Sequence, residues 1–289
     1  MMTDNIEILI DRIEDFSGLF KRIQLGNLDA NVNVANYPFF NPKEILLLTE
    51  FFVVQNFNKI DATLIINEEI GWYITGIKLI DFCNTNFKIP HTQEQSISTA
   101  IPIMRIDVSK MDEYIHNALG FFSKYCNGKD IDILSICISE IINNVNDHSK
   151  SPHDAYIFSQ YYPNVRQIKF AISDLGVGIP ATVNSFLESK KQERLGDIDA
   201  LKWALQKGKT VKSQLHNMGA GLDNIKTFLE GVGTLEIYTE DVYCKLFRNG
   251  KISFSRNPIV YFVGTLIEIT IDVAKLDEKD ETILDEFVL

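Results

Sequence analysis

The chain has 289 residues, 45% hydrophobic and 23% charged, which argues against a disordered polymer and supplies core for one large domain or two. A formal net charge of -11 argues against broad, non-specific binding to nucleic acid or anionic lipid. Four cysteines without a CxxC pair read as buried thiols, no stretch has the length of a bilayer span, and the N-terminus lacks a signal-like apolar run; these features predict a cytoplasmic protein.

In chain order, residues 31–35 alternate like a strand. Residues 43–57 follow Asn41-Pro42, a cap and first-turn proline, and predict a buried helix. A short β-rich run at 62–66 and a second helical stretch at 69–83 complete a small α/β domain spanning 1–88. The polar stretch around Pro90 predicts a linker at 89–102, and a larger domain at 103–289. In that domain, strands are expected at 103–108, 155–161, 167–173, 234–239, 252–255 and 265–271. Helices are expected at 110–125, 130–147 and 222–229, with a helix-rich insertion at 180–215. Helices and strands do not alternate strictly, so the predicted class is α+β, with helices on one face of a mixed sheet.

Four segments carry chemistry. On the helix 130–147, Ile138, Ile141, Ile142 and Val145 form one apolar face, while Glu140, Asn143, Asn144 and His148 gather on another at i, i+3, i+4 and i+8. Polar groups on a helix apolar nearly all round need partners, although a helix end emerging into solvent gives the same pattern. Asp174-Leu175-Gly176-Val177-Gly178-Ile179-Pro180 follows an apolar strand; its carboxylate can accept hydrogen bonds, and its glycines permit a sharp turn. Asn217-Met218-Gly219-Ala220-Gly221-Leu222 opens a helix whose amides suit phosphate. Between them lie basic residues at 190, 191, 194, 202, 207, 209 and 212 against acids at 193, 197 and 199, a charge excess that fits a lid over phosphates or a solvated face. Gly264-Thr265 opens the last strand. Each segment alone is equally an ordinary turn or strand end.

In this order the four resemble the nucleotide-binding domain of the GHKL superfamily, which includes histidine kinases, anti-sigma-factor kinases, gyrase-type ATPases and Hsp90. The resemblance covers about residues 103–272, and the Glu140, Asn144, His148 spacing looks most like the soluble anti-sigma-factor kinases. It implies a Bergerat-type α/β sandwich that binds ATP and Mg²⁺. By that resemblance Asp174, helped by Thr265, would bind the adenine amino group, and Asn144 would hold the metal. Gly219 and Gly221 would contact phosphate, Gly176 and Gly178 would shape the pocket floor, Asn143 would join the nucleotide-binding set, and Glu140 would polarise a nucleophile. The N-terminal segment looks similar to STAS-like domains, which implies a STAS-like or other regulatory protein as partner and leaves a homodimer open. No phospho-accepting histidine of the sensor-kinase kind is present. The implied activity is a protein kinase or an ATPase; the alternative is a non-catalytic module whose partner binding is gated by ATP.

Overall fold

The computed structural model describes residues 7–26, 30–60, 63–82, 96–148, 151, 153–206 and 222–279. At the N-terminus three short strands, β1 (Glu7–Leu9), β2 (Asn31–Asn33) and β3 (Thr63–Ile65), pair in parallel in that order. The crossovers contain α1 (Phe16–Leu25) and α2 (Pro42–Phe57), as parallel pairing requires, since the chain must return to its starting end. The Asn41-Pro42 signal works as expected. Asn41 and Glu44 form a reciprocal capping box, the Asn41 amide donating to Glu44 Oε2 at 2.8 Å. The expected second helix is shorter than its pattern suggested: α3 (Glu68–Gly76) stops and a 3₁₀ turn, Leu79–Phe82, follows.

The larger sheet has seven strands. Their spatial order is β4 (Ala100–Ile106), β5 (Ala155–Tyr162), β6 (Gln167–Asp174), β10 (Thr265–Asp272), β7 (Gly233–Thr239), β8 (Val242–Leu246) and β9 (Ile252–Arg256). Every neighbouring pair is antiparallel, so the expectation of a mixed sheet is corrected. The reason lies in the connections. Two helices, α4 (Val108–Cys126) and α5 (Asp132–His148), separate β4 from β5, and a pair of passes brings the chain back to the end it left. Tight turns join β5 to β6, β7 to β8 and β8 to β9, which also enforces antiparallel pairing.

Side chains alternate between the two faces of a strand. Ile168, Phe170 and Ile172 of β6, Ile267, Ile269 and Ile271 of β10, and Leu235 and Ile237 of β7 share one core with α4, α5 and α8 (Leu222–Leu229). The other face carries Phe158, Ala171, Tyr238 and Leu266, which join the core of the N-terminal segment. Helices were expected on one face only. Instead α2 lies against β5, β6 and β10 on the second face. That position accounts for the nearly complete burial of α2, because a helix between two layers has no solvent side. The small sheet and the large sheet are therefore built into one continuous packing. Among the described residues, no helix is long and apolar enough to cross a membrane.

Polar side chains also tie α2 to the large sheet. Lys43 Nζ stands 2.8 Å from Glu236 Oε2 and 3.3 Å from Glu268 Oε2, and Lys245 Nζ stands 2.7 Å from Glu236 Oε1. Further along α2, Ser173 Oγ donates to Glu50 Oε1 at 2.6 Å. Glu50 is fully buried, its Oε2 has no hydrogen-bond partner among the described residues, and burial raises its carboxyl to about 8, with Asp174 and Asp154 pushing the same way. A carboxyl whose folded pKa lies above its unfolded value stabilises the fold at low pH and loses that contribution as pH rises through the folded value. Wild type should therefore lose about 1 kcal/mol from Glu50 between pH 7 and pH 9. Glu50→Gln should flatten that decline, because an amide does not ionise. Urea unfolding at both pH values checks this, and parallel declines in the two proteins would rule out Glu50 as the source.

Candidate functional site

Asp174 is the last residue of β6, and it lies on the same sheet face as Ile168, Phe170 and Ile172, under the layer of α4, α5 and α8. In register, Thr265 of β10 stands opposite Asp174, and Thr239 of β7 stands opposite Thr265. By the same alternation Thr265 shares the face of Ile267, and Thr239 that of Ile237. The three polar residues thus form a row across adjacent strands at one end of the sheet, beneath the helices. All three are buried.

Asp174 Oδ1 accepts a hydrogen bond from the Gly176 amide at 2.7 Å, which bends the chain immediately after the strand. Burial nevertheless raises its carboxyl to about 7, against the opposing effect of that bond. Gly178 follows with φ of +79°, and α6 (Ile179–Ser189) starts there with Pro180 in its first turn. The crowding around the turn is severe. A Cβ on Gly178 would lie 2.9 Å from Thr239 Oγ1, and one on Gly264, whose φ is +119°, would lie 2.0 Å from the Asp174 carbonyl oxygen. Only glycine fits either position, because both the backbone angle and the space forbid a side chain. The two glycines expected to shape a floor are accordingly buried, and Gly264 is what lets the start of β10 lie directly on the Asp174 turn.

Thr239 was not among the sequence-predicted residues. Its Oγ1 accepts from the Ile179 amide at 3.1 Å and donates to the Gly264 carbonyl at 2.8 Å. One hydroxyl therefore ties the turn after Asp174 to the turn before Thr265. A threonine in a strand carries no sequence signal of its own; the register across β10 is what reveals it.

Glu140, Asn143 and Asn144 lie on the C-terminal half of α5, partly buried, with Leu134, Cys137, Ile138, Ile141 and Ile142 packed toward the sheet. Hence α5 brings its polar residues to the same layer that covers Asp174. The Asn144 amide nitrogen is buried without a hydrogen-bond partner among the described residues. A buried amide left so costs about 1–3 kcal/mol, and a ligand at this helix would remove the cost. Gly219 and Gly221 lie outside the described residues, as does 207–221 as a whole. Of the expected lid, residues 190–206 are described. They contain α7 (Asp197–Ala204), packed on α6 through Val183, Leu187 and Ala200, and Asn184 bonds both the amide and the carbonyl of Leu195. Arg194 pairs with Glu188 at 2.6 Å and Lys202 with Asp199 at 3.0 Å.

No protein-family model matches the chain, and no curated protein is significantly similar to it. The site therefore stands on its own geometry. An open cavity of about 370 Å³ lies elsewhere, lined among others by Asp197, Asp199, Asp241 and Arg256. None of the predicted residues lines it, and three carboxylates against one guanidinium disfavour a polyphosphate there. Among the described residues no group of three or more His, Cys, Asp or Glu can hold a metal by itself.

Proposed function

We propose that this chain is a Mg²⁺-dependent ATP-binding regulatory protein of the histidine kinase-like type, its larger sheet and helix layer forming a Bergerat-type nucleotide site. The observation that carries the reading is the row Asp174, Thr265 and Thr239, buried across three adjacent strands on the sheet face covered by the helix layer that includes α5. A buried carboxylate that already holds one backbone amide has lone pairs left for an exocyclic amino group, which water-excluded surroundings make selective. Thr265 supplies a hydroxyl beside it, and Gly178 and Gly264 let the backbone close up on Thr239 and on Asp174 itself.

The polar end of α5 fits the phosphate side of such a ligand. Asn144 has a buried amide nitrogen without a hydrogen-bond partner among the described residues; nitrogen and oxygen differ only by a flip of the group, and with its oxygen turned to a ligand it would suit a hard cation. When bound there, Mg²⁺ would neutralise phosphate charge. Glu140, one turn earlier on the same helix, is the group that would orient and deprotonate a water or a partner's hydroxyl. A protein partner, STAS-like or otherwise regulatory, is the acceptor or reader in this proposal.

Calorimetric titration tests it. Wild type should bind ATP in the presence of Mg²⁺, and Asp174→Asn should weaken binding about 10- to 100-fold, because the replacement puts an amide donor against a donor. Affinity in wild type should also fall as pH drops through about 7, where the Asp174 carboxyl takes up a proton. Equal affinities in the two proteins would remove Asp174 from the adenine site.

A further inference from the structure

The turn after Asp174 is built from both halves of the chain. Asp174 faces the helix layer, but Leu175 packs against the N-terminal core, the same cluster that holds Phe20, Ile259, Phe262 and Leu266. Residues 257–264 link β9 to β10 and run between α1 and this turn. On the α1 side, Ser17 Oγ accepts from the Val260 amide at 2.8 Å and donates to the Pro258 carbonyl at 3.3 Å. Gln24 Nε2 donates to the Tyr261 carbonyl at 3.1 Å, and the rings of Phe20 and Phe262, both buried, meet edge-on at 4.9 Å between centroids.

The other side of the same loop touches the site. Asn257 Nδ2 donates to the carbonyl of Glu240, the residue after Thr239, at 2.9 Å. Gly264 lies on the Asp174 carbonyl with no room for a Cβ. Within the loop Tyr261 holds a φ of +69°, which a residue with a side chain adopts at a cost and keeps only where surrounding contacts impose it. Here the Tyr261 carbonyl is held by Gln24, and the next residue is anchored by Phe20.

We propose that α1 is a positioning element of the nucleotide site: Ser17 and Phe20, by holding the loop 257–264, set where Gly264 and Thr265 stand against Asp174. A close-packed path of this kind passes a displacement on instead of absorbing it. The N-terminal unit therefore regulates the site it backs. Whatever shifts α1 lowers nucleotide affinity, and bound nucleotide in turn tightens the hold on α1, because coupling between sites is reciprocal. The affinity half of this inference rests on the ATP reading above; the mechanical half does not.

Two readouts on the full chain separate those halves. Ser17→Ala removes both hydrogen bonds to the loop, and Ser17→Thr retains a hydroxyl there. In Ser17→Ala, hydrogen exchange should quicken at the amides of Gly176 and Ile179, which close the Asp174 turn, as well as within 257–264. ATP affinity should fall about 5- to 20-fold, and Ser17→Thr should restore both. Gln24→Ala, at an exposed position, should act in the same direction with smaller effect and serves if Ser17→Ala fails to fold. Faster exchange confined to 257–264, with Gly176 and Ile179 unchanged in both alanine variants, would overturn the proposal. Faster exchange at the turn in a protein that does not bind ATP at all would uphold α1 as the positioning element and discard the nucleotide reading alone.

Discussion

Lys43→Ala is expected to cost about 3–5 kcal/mol of stability, the usual penalty for removing one partner of a buried ion pair. Lys43 sits between two carboxylates on neighbouring strands, 2.8 Å from Glu236 and 3.3 Å from Glu268, and both are largely buried. The pair with Glu236 is the stronger. Despite desolvation, Lys43 and the hydrogen-bonded Lys245 hold the Glu236 carboxyl down to about 2. Glu268 is fully buried with the weaker contact, and burial raises it to about 7 in spite of Lys43. Without the ammonium both carboxylates lose their main compensation, and Lys245 reaches only Glu236. The charge is what matters, so Lys43→Met should be nearly as harmful although it fills the space. Adding Glu268→Gln to Lys43→Met should recover part of the loss, because the most deeply buried carboxylate is then neutral at every pH. Urea unfolding at pH 8 measures all three. A loss below about 1 kcal/mol in Lys43→Ala would place this cluster with exposed pairs of little worth, and α2 would then be held by apolar contacts and the Ser173–Glu50 hydrogen bond.

On the proposed ATP reading, Glu140→Gln should reduce turnover of ATP by about 10²–10⁴-fold while leaving its affinity within about threefold, the signature of a group acting on the reaction instead of on binding. Glu140 is partly buried on α5, one helical turn before Asn144, on the helix that packs over the β6 face bearing Asp174. Glutamine keeps its size and one acceptor oxygen but is a far weaker base. Asn144→Ala is the informative companion, since loss of the proposed metal ligand should appear as weakened Mg²⁺ dependence of ATP binding. Incubation with γ-labelled ATP, with and without candidate regulatory partners, distinguishes labelled protein from free phosphate and thus a kinase from an ATPase. Parallel loss of affinity and turnover in Glu140→Gln would make the residue a scaffold for the end of α5. Absence of turnover in wild type with every partner would favour an ATP-gated binding module.

Much of this was legible because it depends on local chemistry. Asn41-Pro42 before an apolar run starts a helix wherever it occurs, and the capping box with Glu44 forms within one turn. Apolar runs in 167–173 and 265–271 mark strands regardless of their neighbours, each one residue short of the observed element, and glycines after Asp174 mark a turn for the same reason. Elements with weaker local signals escaped. The strand β1 has three residues, α1 carries Gly18 within a mixed pattern, and β8 is a short hairpin partner whose identity comes from pairing with β7 and β9.

The sequence by itself determined that Asp174 ends a strand, that glycines follow it, and that Glu140 and Asn144 share a helix, because each of these is decided by residues within a few positions of one another. Tertiary structure alone decided which strands lie side by side, and with that the row of Asp174, Thr265 and Thr239, since strand order is set by long-range burial and connection. It also decided that α2 is the second cover of the large sheet and that α1 reaches the loop before Gly264. An apolar helix face specifies that it must be buried, not against which surface. Here the surface left over was the back of the sheet that carries the site.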